Sequence, residues 1–316
     1  LSDLESMVVQ SGHRLAISLA ARTFTPATAL AETWSGIRQL TTVKEISKKL
    51  EPENLIDLAH KLTRIARMTF SKDHIRMAVI GDEKGFGSAQ RAVARLHARL
   101  SPIENPSVSA FQWGPDETKL PWDGWQTATA VSFVAKSFQT VRLGHADAPA
   151  LTVIGKLLRS LFLHREIREK GGAYGGFCLY NSEDGIFSFA SYRDPHILNT
   201  LDVYDRAADF ISSGNFSDED VKEGILQVCS DIDKPDPPGP AARKAFYRDM
   251  VGLSDQKRQE FKARLLRLDR RSIMEVAGRQ FLGRDKLQAV AIISGETQLR
   301  KANDQLGDHP LMIYAI

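Results

Sequence analysis

Apolar and polar positions follow two rhythms along this chain, and the changes between them mark its elements. Over residues 52–68, Leu55, Leu58, Leu62 and Ile65 recur at a period near 3.6, which predicts a helix with one apolar face. Residues 75–80 form a short apolar run that predicts a buried strand, followed by a turn and a helix over about 88–100. Residues 14–24 read as β-like. Thr25-Pro26 then suits a helix start, because the N–H that proline lacks would be unpaired in a first turn anyway. Later, a strand is predicted over 127–138 and a long helix over about 147–168. Strands over 173–180 and 186–192 are joined through Glu183-Asp184-Gly185, a hairpin signal. Asp194-Pro195 opens a helix bearing Ile197, Leu201, Tyr204, Ala208 and Ile211, and Ser217-Asp218-Glu219-Asp220 caps the next. Helical pattern over 254–281 precedes a strand at 287–293, from which Ser294-Gly295-Glu296 leads into a last helix.

The two halves share a plan. Ile80-Gly81-Asp82-Glu83 repeats the strand, glycine turn, acid and helix found again at residues 293–296, which points to a duplication. The second copy, from about Gly124, carries an opening strand and helix with no counterpart before Arg14. Residues 101–124, with Pro102, Pro106, Gly114, Pro115 and Pro121, read as an interdomain connection or long surface loop. The expected fold class is α+β: two related α/β sandwich domains, each an antiparallel or mixed sheet with helices on one face. They would occupy residues 1–105, lacking its front half, and residues 106–316. The incomplete unit should expose apolar surface or a strand edge, and self-association through it is expected.

Composition narrows the classes of function. A length of 316 residues suits about two domains, and 42% hydrophobic content lets both bury real cores. The net charge of +3, with acids mixed in throughout, gives no nucleic-acid footprint. No apolar run approaches the ~18 residues of a membrane span. Cys178 and Cys229 make no disulfide framework and read as inert thiols. The sequence opens on Leu1 with no legible signal or transit segment; that start reads as a cut, and the compartment cannot be taken from it.

Zinc hydrolysis needs ligands at fixed spacing plus a general base, as in H-x-x-E-H or H-E-x-x-H. None of His13, His60, His74, His97, His145, His164, His196 and His309 stands in either pattern, so the chain alone should hold no catalytic zinc. Gly85-Phe86-Gly87 lacks the third glycine of a phosphate loop and reads as a turn. The basic residues Arg243, Lys244, Lys257, Arg258, Lys262 and Arg264 are interleaved with Asp249, Asp255 and Glu260, as on a solvated face. Residues 234–240 hold four prolines and read as a rigid connector.

The densest chemistry lies in His164-Arg-Glu-Ile-Arg-Glu-Lys-Gly-Gly-Ala-Tyr-Gly-Gly176. In one reading Arg165, Arg168 and Lys170 complement a helix C-terminus, Gly171 is its left-handed cap, and Tyr174 is an ordinary half-buried strand residue. In the other, Arg168 and Tyr174 flank a tight turn as two fixed donors aimed at one carbonyl oxygen, or the oxyanion it becomes.

The block from Phe162 to Gly176 resembles the C-terminal half of pitrilysin-type zinc metallopeptidases, in the presequence-protease and falcilysin branch. Supporting similarity lies at Ser11-Gly12-His13, Leu30-Ala31-Glu32-Thr33, Ser35-Gly36, Gly185-Ile186-Phe187, Ser191-Tyr192-Arg193-Asp194-Pro195 and Gly252-Leu253-Ser254-Asp255. The resemblance implies four similar domains in two halves that close around an unfolded peptide. The first domain would carry zinc and the general base. The last would supply an arginine and a tyrosine, which fall on Arg168 and Tyr174. Residues 1–105 would then belong to the third domain and 106–316 form the fourth, with the N-terminal catalytic half as partner. Gly171 and Gly172 would let the peptide backbone approach. Zinc would be the cofactor of the full-length enzyme, and this fragment alone would be inactive. The compartment implied is the mitochondrial matrix for a eukaryotic protein, otherwise the bacterial cytoplasm. The rival implication is a non-catalytic pitrilysin-like scaffold or peptide-holding subunit. More distant is an unrelated binding protein in which Arg168 only caps its helix.

Overall fold

Helix α1 (Ser2–Ala21) shows how tertiary packing settles an ambiguous pattern. Residues 14–24, expected to be β-like, are helical to Ala21. Val8, Gly12, Leu15, Ala16, Leu19 and Ala20 are buried at helical spacing, and a short apolar run does not by itself distinguish a strand from a buried helix. A computed structural model describes residues 1–102, 120–282, 288–307 and 309–316. Within it α2 (Pro26–Ser35) starts at the expected proline, with a reciprocal cap between Thr25 and Thr28, and α3 (Ile37–Ser47) follows. Next come α4 (Pro52–Thr69) and α5 (Glu83–Arg99). Residues 75–80, the expected strand, join no ladder among the described residues, and a strand without a partner leaves its backbone groups unpaired. The duplication reading therefore keeps its turn and helix but loses its strand.

The remaining elements are β1 (Trp122–Gln126), β2 (Phe133–Gln139), α6 (Ala148–Leu157), a π-helix (Leu158–Lys170), β3 (Gly175–Asn181) and β4 (Ile186–Tyr192). After them run α7 (Leu198–Ser213), α8 (Asp218–Asp233), α9 (Pro238–Met250), α10 (Asp255–Leu265) and α11 (Arg270–Phe281). The chain finishes with β5 (Gln288–Ser294), α12 (Glu296–Leu306) and β6 (Met312–Ala315). The strand expected over 127–138 starts at Phe133, and residues 122–126 form a strand of their own. The helix opened by Asp194-Pro195 begins at Leu198. Most of the expected 101–124 connection lies outside the described residues.

Six strands form one mixed sheet in the order β3-β4-β2-β5-β1-β6. Pairing is antiparallel from β3 to β5 and parallel across β5, β1 and β6. Alternation along each strand feeds two cores. Val134, Phe138, Phe187, Phe189, Val290 and Ile292 pack with α6, the π-helix, α7, α8 and α11. Phe133, Ala135, Ala190, Ala289, Ala291 and Ile293 pack under α1. Helices thus cover both faces, where one face was expected.

The described residues fall into two compact units. One holds Leu1–Val43, residues 120–234 and Asp255–Ile316; the other holds residues 44–102 and Pro235–Ser254. Residues 1–43 therefore belong with the sheet, and the compact units do not follow the expected division near residue 105. In the second unit α4, α5 and α9 bury no residue, and Leu55, Ile56, Leu62, Ile65, Phe86 and Leu96 are exposed. This is the apolar surface expected of an incomplete unit.

Gly12 is where α1 meets the sheet. The helix leaves helical geometry at Ser11 (φ −130°), and a Cβ on Gly12 would overlap the Phe133 ring. Gly12→Ala should therefore cost about 1–3 kcal/mol as overpacking, read as a lower denaturant midpoint. An unchanged midpoint would contradict so close a seat.

Candidate functional site

The turn between the π-helix and β3 is held from both sides by Ile167. Its carbonyl accepts the Ala173 N–H at 3.1 Å, while the Arg168 carbonyl accepts the Gly172 N–H at 3.1 Å. A Cβ on Gly171 would stand 2.6 Å from the Ile167 oxygen, so only glycine fits. Gly171 is right-handed (φ −83°, ψ −14°), not the left-handed cap expected; that conformation falls one residue later, at Gly172 with φ +73°. Across the turn, a Cβ on Gly176 would sit 3.0 Å from the Ile167 side chain. The helix end and the strand start thus approach as closely as backbone allows, which fixes the bases of Arg168 and Tyr174.

Charge pairing sets Arg168 apart from its neighbours. The buried Glu166 carboxylate accepts from Lys170 Nζ at 2.8 Å and Arg165 Nε at 2.9 Å, with Arg206 at 3.6 Å. The Lys170 hydrogen bond holds this carboxyl below its ordinary range, burial opposes that, and Arg165 reinforces it. The Glu166 to Lys170 spacing was legible as an i,i+4 pair. Arg168 is exposed and contacts only the ring of His164, Nη1 to Nε2 at 3.1 Å. A ring that accepts at Nε2 carries its proton on Nδ1, which faces Glu169 at 3.2 Å. Among the described residues no carboxylate pairs with Arg168, and it does not fold back onto its helix carbonyls.

Tyr174 enters the hairpin through its N–H, which donates to the Tyr192 carbonyl at 3.0 Å. The side chain is 72% exposed, against the half-buried strand residue of the alternative reading, and no described residue takes its hydroxyl. Its ring meets the Tyr192 ring edge-on at 5.7 Å. Behind Tyr192 stands His13, at 5.0 Å, which also stacks on Phe177 at 5.5 Å. Burial pushes the His13 imidazole below its ordinary pKa, with Arg14 adding to the effect. Sequence reasoning gave these three residues no role. They come from positions 13, 177 and 192, and no local pattern joins them.

A guanidinium, a phenol and two glycines are no zinc ligand set. Among the described residues no three His, Cys, Asp or Glu side chains converge on a metal position. These residues do not fit a resident zinc, and their chemistry is hydrogen-bond donation. Cys178 is buried, donates to the Gly155 carbonyl at 3.0 Å, and has its thiol pushed up to about 12, which leaves it inert at neutral pH.

The family model described as PreP C-terminal domain matches residues 125–295, just over half of the chain, with Arg168 and Tyr174 inside the match. The chain belongs to this family. A second model, for the segment associated with the C branch of the M16 peptidases, matches residues 1–46. The mitochondrial presequence protease of Danio rerio is 31% identical over 318 residues, covering 94% of this chain and 30% of that protein. Presequence protease 1, chloroplastic/mitochondrial, of Arabidopsis thaliana is 28% identical over 295 residues, covering 93% of this chain and 27% of the relative. The chain thus spans about 30% of the length of such relatives. Among solved structures, a protease from Helicobacter pylori superposes with a TM-score of 0.53 at 15% identity, over 68% of this chain and 53% of that one. A peptidase M16 inactive domain from Pseudomonas fluorescens does so with a TM-score of 0.50 at 12% identity, over 72% and 53%. At such identities the likeness is one of fold, and it places the mixed α+β sheet among M16 peptidase domains.

Glu166→Gln should remove the charge that gathers Arg165 and Lys170, at a cost of about 1 kcal/mol, since both partners are solvent-exposed. A carboxyl whose pKa is lowered on folding stabilises above its unfolded pKa, so the deficit should be full at pH 7. It should fade as pH falls through the lowered pKa, where wild type loses the same charge. Denaturant melts at a series of pH values check this. A deficit of the same size in strong acid would contradict it.

Proposed function

We propose that this chain is the C-terminal part of a zinc metalloendopeptidase that degrades short unfolded peptides, and that Arg168 and Tyr174 hold the scissile carbonyl. The observation that carries the reading is the pair of unconsumed donors, with no carboxylate on Arg168 and no acceptor on Tyr174, inside the region matched by the PreP C-terminal family. The Tyr174 hydroxyl donates to the carbonyl oxygen and more strongly as that oxygen gains charge. The Arg168 guanidinium offsets the same charge and positions the peptide. Gly171 and Gly172 leave room for peptide backbone beside the turn.

The zinc and general base of a pitrilysin-type enzyme belong on the partner half, outside this chain, so the isolated chain should hydrolyse nothing. In this reading the residues up to about 105 belong to a third domain and those after it to a fourth. The exposed apolar residues of α4 support self-association of the isolated chain. The names of the relatives support a mitochondrial setting, the matrix.

The test is Tyr174→Phe in the full-length enzyme, which removes one hydroxyl from an exposed ring. It should lower kcat by about 10²–10³ while leaving the melting temperature unchanged, the mark of an interaction made in the transition state. Arg168→Lys should not restore what Arg168→Ala loses, because an ammonium lacks the planar fork of donors. Normal turnover in Tyr174→Phe and Arg168→Lys would reduce the motif to a helix end and favour a pitrilysin-like scaffold.

A further inference from the structure

The hairpin that carries Tyr174 ends in a residue the carbonyl grip does not use. Arg193 is the only non-glycine among the described residues with a positive φ, 50°. That conformation presses Cβ against the backbone and persists where the surroundings over-determine it. Here they do. On one side Tyr192 is fixed in the ladder opposite Gly175. On the other, Asp194 exchanges backbone hydrogen bonds with Ser132 at 2.7 and 2.8 Å. The buried Asp194 carboxylate also accepts from the His196 N–H at 2.9 Å and the Thr200 hydroxyl at 2.7 Å. Both neighbours are immobile, so the chain must bend at Arg193.

The bend lays the Arg193 guanidinium over the Tyr192 ring, 5.5 Å from its centroid, the same ring that Tyr174 meets at 5.7 Å. A second arginine, Arg159, lies 5.4 Å over Phe177, which joins the cluster through His13. Both arginines are exposed, and among the described residues neither pairs with a carboxylate. Nearby cations behave otherwise: Lys156 is held by Asp231, Arg206 by Asp202, and Arg165 and Lys170 by Glu166. Arginines stacked on aromatic faces and left without acids form a prearranged acceptor for a planar anion. They also flank β3, an edge strand of the sheet.

We propose that Arg193, seated on Tyr192 and seconded by Arg159, is a specificity subsite that takes a carboxylate of the bound peptide next to the Arg168–Tyr174 grip. The assignment rests on the peptidase reading above. Because Tyr174 and Arg193 pack against one ring, the carboxylate belongs to a residue only a few positions from the scissile bond, at ~3.3 Å per extended residue. It comes either from the peptide C-terminus or from an acidic side chain.

The experiment uses the full-length enzyme and one fluorogenic peptide in two matched pairs. One pair differs by a C-terminal acid or amide, the other by Glu or Gln near the scissile bond. Wild type should prefer the charged member of at least one pair by about tenfold in kcat/KM, and that pair names the source. Arg193→Asn should bring the ratio to near one through KM, since asparagine accepts a left-handed backbone and adds no strain. Arg193→Gly is the second variant should that one fold poorly, and Arg193→Lys should restore the ratio in part. No preference in wild type, or one that survives in Arg193→Asn and Arg193→Gly, overturns the subsite. Tyr174→Phe on the same peptides keeps the two proposals apart. Lost turnover with the ratio intact upholds the grip and leaves the subsite to the Arg193 variants. Normal turnover in Tyr174→Phe beside a ratio abolished in Arg193→Asn refutes the grip and leaves the subsite standing.

Discussion

The site depends on how closely the π-helix can approach the first strand of the hairpin at Ile167. Its buried side chain fills the space that glycine leaves at position 176, and its carbonyl occupies the space that glycine leaves at position 171. Any side chain at either point would push helix and strand apart. Because neither exists, the helix end, the two-glycine turn and the strand form one rigid corner, and Arg168 and Tyr174 project from its two sides. Sites built on regular elements in this way hold their geometry better than sites on loops.

Electrostatics then decide which group is available. The segment 164–170 carries three strong cations and two acids, and in extended solution any pairing could form. On the helix, the buried Glu166 takes Arg165 and Lys170 together, and Glu169 turns to His164. Arg168 is left with a neutral acceptor and exposed donors. The aromatic side of the corner works similarly. Tyr192, His13 and Phe177 form a low-mobility shelf, and that shelf orients Tyr174 and Arg193 without consuming their polar heads.

Local signals carried much of this into the sequence. The hairpin over β3 and β4, the Thr25 and Ser217 caps and the α4 periodicity are all written in neighbouring residues and are all present. What failed was non-local. The apolar run at 14–24 fits a strand as well as a buried helix, and the sheet surface beneath α1 chose the helix. Residues 75–80 have strand composition, but a strand exists only with a partner. The left-handed residue moved from Gly171 to Gly172 because the π-helix, unlike an α-helix, closes one residue later. Arg168 and Tyr174 were legible as a motif, while the shelf behind them joins residues about 180 positions apart and leaves no local trace.

The central claim is that Tyr174 reaches the scissile carbonyl. The most direct measurement is a crystal or cryo-electron-microscopy structure of the full-length enzyme, made hydrolytically incompetent on its zinc-bearing half and holding an uncleaved peptide. The account predicts the Tyr174 hydroxyl about 2.7–3.1 Å from the carbonyl oxygen, with Arg168 turned toward the same oxygen or its neighbouring backbone. A peptide bound with its scissile carbonyl elsewhere, and Tyr174 and Arg168 both facing solvent, would contradict it.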